Sequence, residues 1–225
     1  MSTSVRLLIL LVLLAFVDRS HATCLPQVSA DAATLCNVLR QVSIPTCISR
    51  SAWHGWVDNA MADLTRREPR PAGVTETFIA LIRNPGVDPV VRDYAVQHLT
   101  MTWVLRVGAR ERAEICAVVR ECVANRAGTE AGTALLALRR MERAGIATGV
   151  ESVAIKAGEV AADETAAPAS RATALQILSE VAPQSAEIEA RNLVSVQPSG
   201  VLARSAEAVL GKRACPTCPT SAGSP

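Results

Sequence analysis

The stretch DPVVRDYAVQHL, Asp88 to Leu99, decides how the rest of the chain is read. Asp88 suits the N-cap of a helix, because its carboxylate accepts from the free backbone N–H groups of the first turn. Pro89 follows at the first helical position, where no N–H is needed and φ is already set. Asn84-Pro85-Gly86, just before it, is a turn that stops any earlier helix. Val91, Ala95, Leu99 and Thr102 then fall on one face, flanked by Tyr94 and His98.

The same wording returns. PASRATALQIL, Pro168 to Leu178, shares Pro, Arg, Ala, Gln and Leu with Pro89 to Leu99 at identical offsets. Between them, GTEAGTALLAL (Gly128 to Leu138) keeps the alanine and leucine as Ala134 and Leu138, and GVLARSAEAVL (Gly200 to Leu210) keeps them as Ala206 and Leu210. A fainter copy, His54 to Leu64, carries Ala60 and Leu64. The aligned alanines are therefore Ala60, Ala95, Ala134, Ala174 and Ala206, spaced 35, 39, 40 and 32 residues apart. A period near ~40 residues with two helices per unit is that of HEAT and armadillo arrays.

The wording resembles the HEAT family, whose second helix typically carries an Asp, an Arg four residues on, then a small residue and a Leu. Asp88, Arg92, Ala95 and Leu99 match in that order, and Arg171, Ala174 and Leu178 match without the Asp. The copies at 128 and 200 lack both the Asp and the aligned Arg. In the family these residues form a ladder between neighbouring repeats, so the resemblance implies ladder roles for Asp88, Arg92 and Arg171. It spans about Val74 to Lys212 and implies an all-α fold, a right-handed α-solenoid of about four helical-hairpin repeats behind an N-terminal capping hairpin.

The remaining segments fit around that array. Residues 1–22 read as a signal peptide: Arg6 supplies the positive start, Leu7 to Val17 are unbroken apolar residues, and Ser20 and Ala22 stand at small-residue cleavage positions. That apolar run is too short for a bilayer, which needs about 20 residues. The expectation is export, to the periplasm or outside the cell, with cleavage after Ala22 and no membrane span afterwards. Residues 23–65 read as a helical cap. One helix opens at Asp31 and runs to about Val42, and a second, capped by Thr46, carries Trp53, Trp56, Val57, Ala60 and Leu64 at helical spacing. RREPRPAG, residues 66–73, has no apolar face and reads as a linker. Residues 74–211 hold the repeats, with helices expected over 75–83, 88–107, 111–124, 129–143, 169–181, 185–196 and 200–211. A further helix to about Ala161 starts from the capping-box pattern Thr148 to Glu151. The tail KRACPTCPTSAGSP, 212–225, is proline-rich and polar and reads as disordered or draped on the surface.

The formal net charge of +2 argues against nucleic acid, which calls for a clustered basic surface. The chain has seven cysteines, and an exported protein with that many forms disulfides. Cys215-Pro-Thr-Cys218 is the strongest local pair and reads first as a structural disulfide; a redox or metal role is the alternative. Cys36 and Cys47 flank Pro45 and could staple the N-terminal hairpin, a weaker expectation. Cys116 and Cys122 lie on one helix about 9 Å apart in rise and cannot bond to each other. No nucleophile elbow, H-E-x-x-H or phosphate-cradling glycine loop occurs, so the sequence points to no cofactor and no catalytic residue. Two function classes follow. The first is an interaction scaffold for another extracytoplasmic protein or peptide, with Arg92, Gln97, Gln176 and Glu207 as groove-facing candidates. The second is an extracytoplasmic thiol protein using Cys215 and Cys218. A bilin-lyase-like enzyme has only the fold behind it, and no residue carries over.

Overall fold

The computed structural model describes residues 30–40, 44–126, 128–150, 152–196 and 199–211. The signal-peptide reading and the tail with Cys215 and Cys218 lie outside the described residues. The described chain is all-helical, with ten α-helices and no strand among the described residues. It divides into two compact units, Met1–His98 and Leu99–Pro225, and the division falls within a helix rather than at 66–73. No helix among the described residues is long and apolar enough to cross a membrane.

The first unit opens with α1 (Ala32–Leu39), capped by Asp31, whose carboxylate accepts from the Thr34 N–H at 3.0 Å. This helix ends at Leu39, short of the Val42 expected from sequence. Ser49, not Thr46, caps α2 (Arg50–Arg66) by accepting from the Ala52 N–H at 3.2 Å. Trp53 and Trp56 are buried and stacked, with ring centroids 5.2 Å apart, as a packed cap requires. The segment between α2 and α3 is tied down: Arg67 donates to the Ala30 carbonyl at 2.8 Å and pairs with Asp63. Helix α3 (Val74–Arg83) starts from Gly73, whose φ of 80° is a left-handed conformation that glycine adopts without a Cβ penalty. It buries Phe78, Leu81 and Ile82 at i, i+3, i+4 spacing, so Leu81 takes the inward place expected of Ile79. Asp88 caps α4 (Pro89–Met101) as expected, accepting from the Val90 N–H at 2.9 Å.

In the second unit α4 stops at Met101 rather than running on to Val107. Thr102 leaves ideal helical geometry (φ −119°), and a 3₁₀ turn, Trp103–Leu105, buries Trp103 and Val104. Helix α5 (Ala109–Ala124) and α6 (Glu130–Arg143) form the next hairpin, and Gly145, with φ 72°, ends it. The expected cap at Thr148 is not used. Thr148 is buried, its carbonyl accepts from Arg120, and Gly149 takes φ 71°, which no helix can continue through. Ser152 caps α7 (Val153–Ala162) instead, accepting from the Ala154 N–H at 3.1 Å. Helices α8 (Pro168–Val181), α9 (Pro183–Val196) and α10 (Val201–Gly211) complete the unit. The contacts are regular: α5 packs on α6, α7 on α8 and α9 on α10, while α6 also packs on α8, α8 on α10, and α7 on α9. The α8 helix also packs on α9, so it touches α6, α7, α9 and α10. Ala60, Ala95, Ala134, Ala174 and Ala206 are each 0% exposed. An alanine at these places lets helix backbones approach closely; a larger side chain would overpack the contact.

Candidate functional site

A concavity lies in the second unit, at the turn between α7 and α8, against α9. It is an open groove of about 430 Å³ lined by Glu164, Arg171, Glu189, Asn192, Leu193 and Val196, with Ala162 at its edge. Arg171 is positioned by α8 and is only 9% exposed. Its Nε donates to the Ala161 carbonyl at 2.9 Å, which fixes the plane of the guanidinium. It makes no ion pair among the described residues, and its two Nη amines have no protein partner there. Glu164, on the turn, and Glu189, on α9, line the same groove without an ion pair among the described residues. Their neighbours are engaged elsewhere. Asp163 is held below the ordinary carboxylate value by the Thr165 hydroxyl and N–H and by Arg126, which lies 3.1 Å away. Glu187 pairs with Arg191. The groove therefore presents one buried, permanently charged fork and two unpaired carboxylates beside an apolar wall of Leu193 and Val196, the latter 74% exposed.

A shallower groove of about 200 Å³ runs between α8 and α10, lined by Ala172, Gln176, Ser179, Ser205, Ala208 and Val209. Small side chains at this helix contact leave a channel, and exposed Gln176 stands at it.

The sequence-picked residues are dispersed. Asp88 lies 3.6 Å from Arg50 and 3.3 Å from His54, both on α2. Burial would raise its carboxyl, but the Val90 N–H, His54 and Arg50 hold it below the ordinary value. Arg92 donates to the Pro85 carbonyl at 3.2 Å. Arg171 turns to its own hairpin through Ala161, as described. His98 pairs with Asp58 at 2.7 Å. Cys36 and Cys47 do not staple the N-terminal hairpin: Cys36 is a buried free thiol on α1, whereas Cys47 is disulfide-bonded. Helical phase places Cys36 with Leu35 and Leu39 among the buried residues of α1. Cys116 and Cys122 both lie buried on α5. Burial pushes the Cys116 thiol up despite Arg120 and Arg112 nearby, and its Sγ donates to the Ala147 carbonyl at 3.7 Å, so it is an inert packing group. Sequence reading singled out none of Glu164, Glu189 and Asn192 as a site residue. Nothing in a single sequence signals that residues on two helices and a turn converge.

Protein-family models, curated proteins and solved structures were compared with the chain, and none matches it.

Proposed function

We propose that this chain is an exported HEAT-like α-solenoid that works as a scaffold, holding another extracytoplasmic protein or peptide against the row of second helices. The observation that carries this reading is the row itself. Helix α6 packs on α8 and α8 on α10, and Ala134, Ala174 and Ala206, one on each, are fully buried. Arrays built this way present one continuous helical face, which is their usual binding surface. Gln176 and Glu207 are exposed on that row, and the channel between α8 and α10 provides relief for side chains to enter.

A photo-crosslinking amino acid in place of Gln176, in the full chain expressed in its own cells, tests the reading. A discrete crosslinked partner is expected, unchanged when Cys215→Ser and Cys218→Ser are combined. Loss of the adduct in that double variant would move the function to thiol chemistry. Absence of any adduct from Gln176 and from Glu207 would remove the scaffold reading. Intact mass of the exported protein checks the compartment: the mass should begin at Thr23.

A further inference from the structure

The groove around Arg171 carries a conclusion beyond the scaffold reading and independent of it. A guanidinium is charged at any physiological pH and offers its N–H groups in a planar fork. Arg171 is nine-tenths buried, is oriented by its bond to the Ala161 carbonyl, and leaves its two Nη amines open. That fork matches a carboxylate, which it binds with two parallel hydrogen bonds. Glu164 and Glu189 reverse the local balance to a net negative charge, so a simple anion such as phosphate meets two repelling carboxylates. A simple cation meets Arg171. The complement is a ligand with one carboxylate and two cationic groups joined by an aliphatic stem, for which Leu193 and Val196 supply the wall. The volume of about 430 Å³ lies within the range of small-molecule pockets. In the corresponding segment Arg92 donates instead to the Pro85 carbonyl.

We propose that this groove binds a free basic amino acid of the lysine or arginine class. Arg171 takes the α-carboxylate, and Glu164 and Glu189 take the cationic groups. Isothermal titration of the full chain with L-lysine and L-arginine tests this. Saturable one-to-one binding is expected, lost with L-lysinamide, which has no carboxylate. Glu164→Gln and Glu189→Gln, both outside the core, should each weaken binding by about tenfold or more while the helical circular dichroism and melting temperature hold. Arg171→Gln should abolish binding, and its melting curve reports separately whether the chain still folds. Nα-acetyl-lysine, which lacks the α-ammonium, should bind about tenfold weaker than lysine, and equal binding would overturn the two-carboxylate reading. The proposal is overturned if neither amino acid binds at millimolar concentration, if lysinamide binds as well as lysine, or if both glutamine variants bind unchanged.

Discussion

The hairpin α3–α4 and the hairpin α7–α8 begin their helices at Val74 and Val153, and at Pro89 and Pro168, each pair separated by the same interval. Their turns agree to the hydrogen bond. Asn84 Oδ1 accepts from the Gly86 N–H at 2.9 Å, and Asp163 Oδ1 from the Thr165 N–H at 2.9 Å. The Asn84 carbonyl accepts from Val87 and the Asp163 carbonyl from Ala166, both at 3.1 Å. Buried positions correspond as well: Phe78 with Ala157, Val87 with Ala166, Val91 with Ser170, Ala95 with Ala174, Leu99 with Leu178. What differs is size and charge. The later hairpin has replaced large core side chains with small ones, and the capping acid Asp88 with Ala167. Small residues let α8 lie close to α6, where Ser170 Oγ accepts from the Gly132 N–H at 3.1 Å and donates to the carbonyls of Gly128 and Thr129. One backbone pattern thus serves two kinds of packing, filled by side-chain volume in one place and by close backbone approach in the other.

That comparison is sharpest at its largest residue. Phe78→Ala should cost about 3–5 kcal/mol, because Phe78 is fully buried and its truncation leaves a cavity. Ala157→Phe, at the matching place, should cost about 1–3 kcal/mol by overpacking. Chemical denaturation measures both, and a neutral Phe78→Ala would break the correspondence. Close approach is tested at Gly132, where an added Cβ would lie 3.0 Å from the Ser170 Cα and 3.3 Å from the Thr173 Cβ. Gly132→Ala should lose about 1–3 kcal/mol, since the first obstacle is backbone. An unchanged melting temperature would mean that α6 and α8 can slide apart freely.

The capping acid has a smaller effect with a pH signature. Asp88→Ala should cost about 1 kcal/mol near neutral pH. The folded-state value of Asp88 is depressed, so its contribution is present above pH 3.8, its ordinary value, and is lost as pH falls below that. Stability of Asp88→Asn against pH should therefore show a flatter acid limb than the parent. The reciprocal change is the smallest. Ala167 already has the extended backbone of an N-cap (φ −56°, ψ 134°), so Ala167→Asp should stabilise α8 by roughly 0.5–1 kcal/mol. Destabilisation there would show that the two hairpin entries differ in more than the missing carboxylate.

Much of the fold was legible because helix punctuation is local. Asp88, Pro89, Gly108, Gly145 and Pro168 act through φ preferences and cap bonds with neighbours a few residues away, and the helices begin or end at them. The misread boundaries had non-local causes. The Thr148 pattern was overruled by Arg120, far away in sequence, and α4 was shortened where Trp103 is drawn into the core. Cys36 looked available to Cys47 by spacing, but helical phase carried it inward with Leu35 and Leu39. The site followed the same division. Arg171 stood out from sequence through its match to Arg92, whereas its burial, its bond to Ala161 and its meeting with Glu164 and Glu189 did not.

By itself, then, the sequence determined the helical class and where several helices begin, and it marked five alanines that are buried, because periodicity and capping are written within single turns. Only the tertiary structure decided which charges are paired and which are left open. Whether a carboxylate meets an arginine depends on distances between helices, and those are set by side-chain volumes at contacts that no local pattern records.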